Sequence, residues 1–188
     1  MATTTVTYGL LAGGKHTVWV PASAIYTETT NGADPVIQTE LGNEPELKTI
    51  QFDAAADKFA QFSITMPKSW DESSGITYQP YWTNVAASPD TGNVIWSMQA
   101  VSFADGDSLN ATFGTAVATT AKASSGTQYN LMVSAESGAV TPAGSPAAGE
   151  ITMFRIFRDA DNAADTCTDA VQLLGIKLFF TTDLGGDA

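Results

Sequence analysis

Apolar residues in this chain recur with a period of two, in short runs separated by turn residues. From Lys48 onward eight such runs are predicted as strands, at 48–52, 58–66, 75–83, 93–104, 114–121, 129–135, 150–158 and 171–182. In the second run Ala60, Phe62, Ile64 and Met66 share one face. In the third, Ile76, Tyr78, Pro80 and Trp82 align, and the internal Pro80 predicts an edge position or a bulge. Val94, Trp96, Met98 and Ala100 align in the fourth, and Tyr129, Leu131, Val133 and Ala135 in the sixth. No window of twelve or more residues has helical spacing; one short helical turn is expected at 108–111.

The last two runs are apolar on both faces. Phe154 and Ile156 oppose Met153 and Phe157, and Leu174, Ile176 and Leu178 oppose Leu173 and Phe179. Such strands are either covered on both sides or part of an interface. Eight strands with polar turns predict an all-β fold, an eight-stranded jelly-roll sandwich over 48–188. An immunoglobulin-like sandwich needs only seven strands, and its Cys–Trp–Cys spacing is missing. Residues 1–47 read as an irregular N-terminal arm, with weak alternation over 3–11 and a short strand over 15–20 stopped by Pro21. The alternative for this segment is that it adds strands to its own domain.

Composition narrows the partners. The 188 residues fit one domain, and charged residues are only 15%, below the usual quarter or so. Eight basic residues against twenty acidic ones give a formal charge of −12. That balance repels phosphate backbones and anionic lipid, so neither nucleic acid nor membrane is expected as a partner. Cys167 is the single cysteine, which forbids an intrachain disulfide. The first residues lack the basic and apolar regions of a signal peptide, and no apolar run is long enough to span a bilayer.

Candidate chemistry is sparse. His16 is the single histidine and reads as a surface or interface side chain. Cys167 is flanked by Asp165 and Asp169, whose charge opposes thiolate formation. Asp53, Asp57, Asp105, Asp107 and Glu150 sit beside predicted turns, and nothing singles out a glycosidase pair among them. The acidic loops 105–108 and 159–165 could offer oxygens to calcium, but turn acids without metal are the simpler reading. Too few Cys and His residues exist for a zinc site, and no phosphate-cradling loop is present; no catalytic residue, metal or cofactor is expected. Alternation predicts burial for Tyr78, Trp82 and Trp96, leaving Trp70 and Tyr81 as the exposed aromatics that could stack on sugars.

The runs KTIQFDAAADKFAQFSITMPKSWD, GITYQPYWT, NVIWSMQAVSFADGDSL, GEITMFRIFRD and DAVQLLGIKLFFTT resemble small jelly-roll virion proteins of tailed bacteriophages, of the capsid decoration (cement) or head and tail fibre type. The likeness spans 48–182. It implies a non-enzymatic structural protein located in the virion, a homotrimer, that stabilises the head by binding the major capsid protein. It brings no catalytic residues. The N-terminal arm would supply the capsid contact, through Trp19, Val20, Pro21, Ile25 and Tyr26. The alternative function is a carbohydrate-binding module or a tail or fibre adhesin domain.

Overall fold

A computed structural model describes residues 13–183. Its strands are β1 Lys15–Pro21, β2 Tyr26–Thr27, β3 Ile37–Glu40, β4 Glu46–Phe52, β5 Phe59–Thr65, β6 Ile76–Asn84, β7 Asn93–Val94, β8 Trp96–Phe103, β9 Val117–Ala118, β10 Lys122–Ala123, β11 Met132–Val133, β12 Ile151–Arg158 and β13 Val171–Thr181. Single 3-10 turns occupy Ala22–Ala24 and Glu72–Ser74, the latter capped by the Asp71 side chain accepting from the Ser73 N–H. No helical turn forms at 108–111. The expected alternation over 3–11 lies outside the described residues.

The strands close into a double-sheet jelly roll. Four antiparallel pairs nest inside one another along the chain: β4 with β13, β5 with β12, β6 with β11 and β8 with β9. Rolling this nest up gives a first sheet ordered β11-β6-β13-β4-β3 and a second ordered β2-β5-β12-β8-β9. All eight expected runs from Lys48 onward contribute one of these nested strands. The fourth run breaks at Ile95, whose N–H donates to Asp165 and whose carbonyl accepts from the Asp159 N–H. The two residues before the break, β7, pair with β10 instead of the main sheets.

The strand pairing does not divide at residue 47. β1 lies along β13 from Lys15↔Thr181 to Pro21↔Gly175, and β4 continues that same edge at Val171–Leu173. The chain then crosses the side of the sandwich through Ala22–Ala24, adds β2 to β5, and returns as β3 beside β4. The expected free arm is therefore a strap, from residue 15 onward. The physical reason is that each sheet has an open edge of unpaired backbone groups, and this segment satisfies them.

Three local departures have specific causes. Pro80 lies within β6 between two partners, not at an edge. It cannot donate to β11, so the Ser134 carbonyl accepts from the Gln79 side chain at 2.9 Å, while the Ser134 N–H donates to the Pro80 carbonyl. In β13 the register against β6 slips between Leu173 and Gly175. Leu174 is the extra residue, so Leu173, Ile176 and Leu178 all point into the core and strict alternation fails. Around β11 it is Met132 and Ser134 that are buried, leaving Leu131 58% exposed.

Tyr78, Trp82 and Trp96 are buried as alternation predicts. Phe52 meets Trp96 edge-on, and Phe62 stacks on Phe154. Tyr78 joins the sheets: from β6 its hydroxyl reaches the carbonyls of Trp96 and Val117 at 2.8 and 2.7 Å. Burial pushes that hydroxyl's pKa far above its ordinary value, with the Asp159 charge adding to the effect. It therefore acts as a fixed neutral donor.

Candidate functional site

The five residues expected to contact a partner separate in space. Val20 and Ile25 are buried in the core, and Pro21 is half-buried. Trp19 and Tyr26 remain 46% and 50% exposed. Val20 and Trp19 alternate along β1, so Trp19 faces outward from the first sheet. Tyr26 pairs with Gln61, whose neighbours Ala60 and Phe62 point inward, so Tyr26 faces outward from the second sheet. The strap thus delivers one exposed aromatic ring to each outer face. Val20 and Ile25, expected at the contact, are instead turned into the core, where they anchor the strap itself.

The first face is a grid read from the register. Trp19, Lys177 and Gln79 form one row, Pro21, Gly175, Tyr81 and Val133 the next, and Thr17, Phe179 and Thr77 a third. Trp19 leans over Gly175: a Cβ built there would lie 2.4 Å from the indole. The indole also meets Tyr81 edge-on, with ring centres 5.2 Å apart. The Lys177 ammonium lies 5.4 Å from the Tyr81 ring centre and makes no ion pair among the described residues. Lys15 sits over Phe179 at 4.4 Å and pairs with Glu136, which Thr77 also bonds. Burial pushes the Glu136 carboxyl up, but those bonds outweigh it and hold it below its ordinary value.

The second face is more polar. Tyr26, Gln61, Arg155 and Gln99 form a row across β2, β5, β12 and β8. Arg155 lies between the Phe59 and Phe113 rings, 4.6 and 4.8 Å from their centres, and donates to Gln99. Glu28 accepts from Gln61 at 2.7 Å and faces Arg155 at 3.7 Å. Beside this row is an open cavity of about 330 Å³, lined by Tyr26, Thr27, Glu28, Thr29, Thr30 and Gln61.

The acidic groups have mostly structural partners. Asp53, Asp107 and Glu150 each accept from a nearby backbone N–H, as turn caps do. From the 159–165 loop, Asp165 turns inward to a fully buried ion pair with Arg158, which also donates to the Cys167 and Asp169 carbonyls. Only Asp159 and Asp161 of that loop come together, and they are joined by Asp57. Among the described residues these three carboxylates are the group that could hold a cation, since one oxygen from each lies within 4.8 Å of the others. Burial pushes the Asp57 carboxyl up, and the charges of Asp161 and Asp159 add to it, against the bond from the Ala160 N–H. The recruitment of Asp57 from a distant turn had no sequence signal.

Cys167 is buried, and burial pushes its thiol pKa up, with smaller contributions from the Asp90 and Asp169 charges. His16 is exposed and stacks on Phe180, with ring centres 5.8 Å apart. Trp70, expected at the surface, is completely buried; Tyr81 is half-buried on the first face. Phe154 and Ile156 point into the core, while Phe157, outside the core cluster, is buried on the opposite side against Phe59. No described helix is long and apolar enough to cross a membrane.

No protein-family model and no curated protein matches the chain. Among solved structures it is similar to an arabinose-bound GH51 α-L-arabinofuranosidase, at 13% identity and a TM-score of 0.45, over 92% of this chain and 27% of that one.

Proposed function

We propose that the protein is a non-enzymatic structural virion protein of a tailed phage, a capsid decoration protein that binds the major capsid protein through the outer face of the first sheet. The observation that carries this reading is the half-exposed Trp19 lying over Gly175 and against Tyr81. A ring held against a double sheet by its neighbours loses little freedom on binding and offers a large apolar area. Lys177 beside it is a cation without an ionic partner among the described residues, on a chain of charge −12. It favours an acidic side chain on the partner. The resemblance over 48–182 to jelly-roll virion proteins points the same way.

The test is co-sedimentation of the purified protein with capsid shells that lack it. Trp19→Ala is expected to weaken binding by about 2 kcal/mol, the size of an interface hot spot. Unchanged binding by a folded Trp19→Ala variant would contradict the assignment of this face. A homotrimer belongs to the same proposal, and light scattering is expected to return three times the 19.6 kDa chain mass.

A further inference from the structure

We propose that the cavity on the outer face of the second sheet binds a neutral saccharide, with Tyr26 as its stacking ring and Glu28, Gln61 and the hydroxyls of Thr27, Thr29 and Thr30 as its hydrogen-bonding walls. The inference rests on a different face from the capsid contact and stands or falls without it.

The cavity encloses about 330 Å³ and is open to solvent. The Tyr26 hydroxyl and the three threonine hydroxyls have no hydrogen-bond partner among the described residues. Several donors and acceptors without an intramolecular partner therefore belong to the lining, beside one half-exposed aromatic ring. That combination is the complement of a sugar, which carries a patch of C–H bonds on one face and hydroxyls around its rim.

Other ligand classes fit less well. The nearby cation is Arg155, and its guanidinium is already held between two rings, bonded to Gln99 and facing Glu28. An anion would thus meet the Glu28 carboxylate with no free positive charge. A lipid chain would need walls apolar throughout, and the five lining residues other than Tyr26 are all Thr, Glu or Gln. Glu28 itself is fixed by Gln61 at 2.7 Å, so one acceptor is preset before a ligand arrives. Trp19 and Tyr26 lie on opposite outer faces, so a protein docked by the first sheet still presents this cavity to its surroundings.

Native affinity gels containing dextran, mannan, galactan or polygalacturonate test this with the full chain. At least one of the three neutral polymers is expected to retard the protein, and polygalacturonate is not. Tyr26→Ala is expected to weaken the retardation about tenfold or more, as loss of a stacking ring does. The double variant Thr29→Val, Thr30→Val should weaken it while keeping the ring, and Trp19→Ala should leave it unchanged. Tyr26 is half-exposed, and an unchanged melting temperature confirms that its variant is folded. No retardation by any neutral polymer, retardation by polygalacturonate alone, or equal retardation of Tyr26→Ala would overturn the proposal.

Discussion

The two outer faces are supplied by one short piece of chain and are built on different principles. Trp19 and Tyr26 are seven positions apart, yet the turn at Ala22–Ala24 sends them to different sheets. On the first face the ring lies against Gly175, among Tyr81, Phe179 and two lysines. On the second the ring borders a cavity of hydroxyls, an amide and a carboxylate. An exposed aromatic surface suits another protein, and a hollow that sets polar groups beside apolar surface suits a small hydroxylated ligand. Proximity in sequence therefore does not define a site; the edge at which each strand pairs does.

Perturbations ordered by size separate what the faces share from what each owns. Arg158→Met should be the most damaging, because it strands the buried Asp165 carboxylate and frees the Cys167 and Asp169 carbonyls. A loss of about 3–5 kcal/mol in denaturant unfolding is expected, and both faces should suffer, since 159–170 joins the two sheets. Tyr78→Phe removes the hydroxyl that links β6 to the Trp96 and Val117 carbonyls. It should cost about 1–3 kcal/mol and again disturb both faces.

Gly175→Ala divides them. Its Cβ would fall 2.4 Å from the Trp19 indole and 2.7 Å from the Val20 carbonyl, so the ring must leave and β1 must shift. A cost of about 1–3 kcal/mol is expected. Trp19 fluorescence and capsid binding should change while the Tyr26 cavity keeps its properties; equal damage to both would break the distinction. The smallest effect is expected for Glu136→Gln. The Glu136 carboxyl is held below its ordinary value of 4.5, so its contribution is fully present above that pH and fades as the pH falls through the lowered value. The stability gap between wild type and variant should therefore narrow below about pH 4.5 and stay flat above it. A gap that widens in acid would show that the Lys15 contact is not what lowers it.

The sequence carried most of the sandwich, because each nested strand buries one side and so obeys a period of two. It failed where a contact is decided across the fold. Leu174 is one extra residue in β13, and a bulge leaves no mark in a run apolar on both faces. Trp70 sits between Pro67 and Asp71 in what reads as a turn, yet the turn folds inward and buries it. The strap read as an arm because its Thr, Asn and Pro content resembles a loop, while its pairing partners lie far along the chain. For the site, Trp19 and Tyr26 were legible as apolar residues in a polar stretch. Their division between faces was not, and neither were Lys177 and Gly175 under Trp19, which only the β1–β13 register brings together.

Oxidative footprinting of the protein bound to capsid shells tests the division of the two faces most directly. Trp19 and Tyr81 should be shielded relative to the free protein while Tyr26 reacts as before. Shielding of Tyr26 with Trp19 left fully reactive would contradict it.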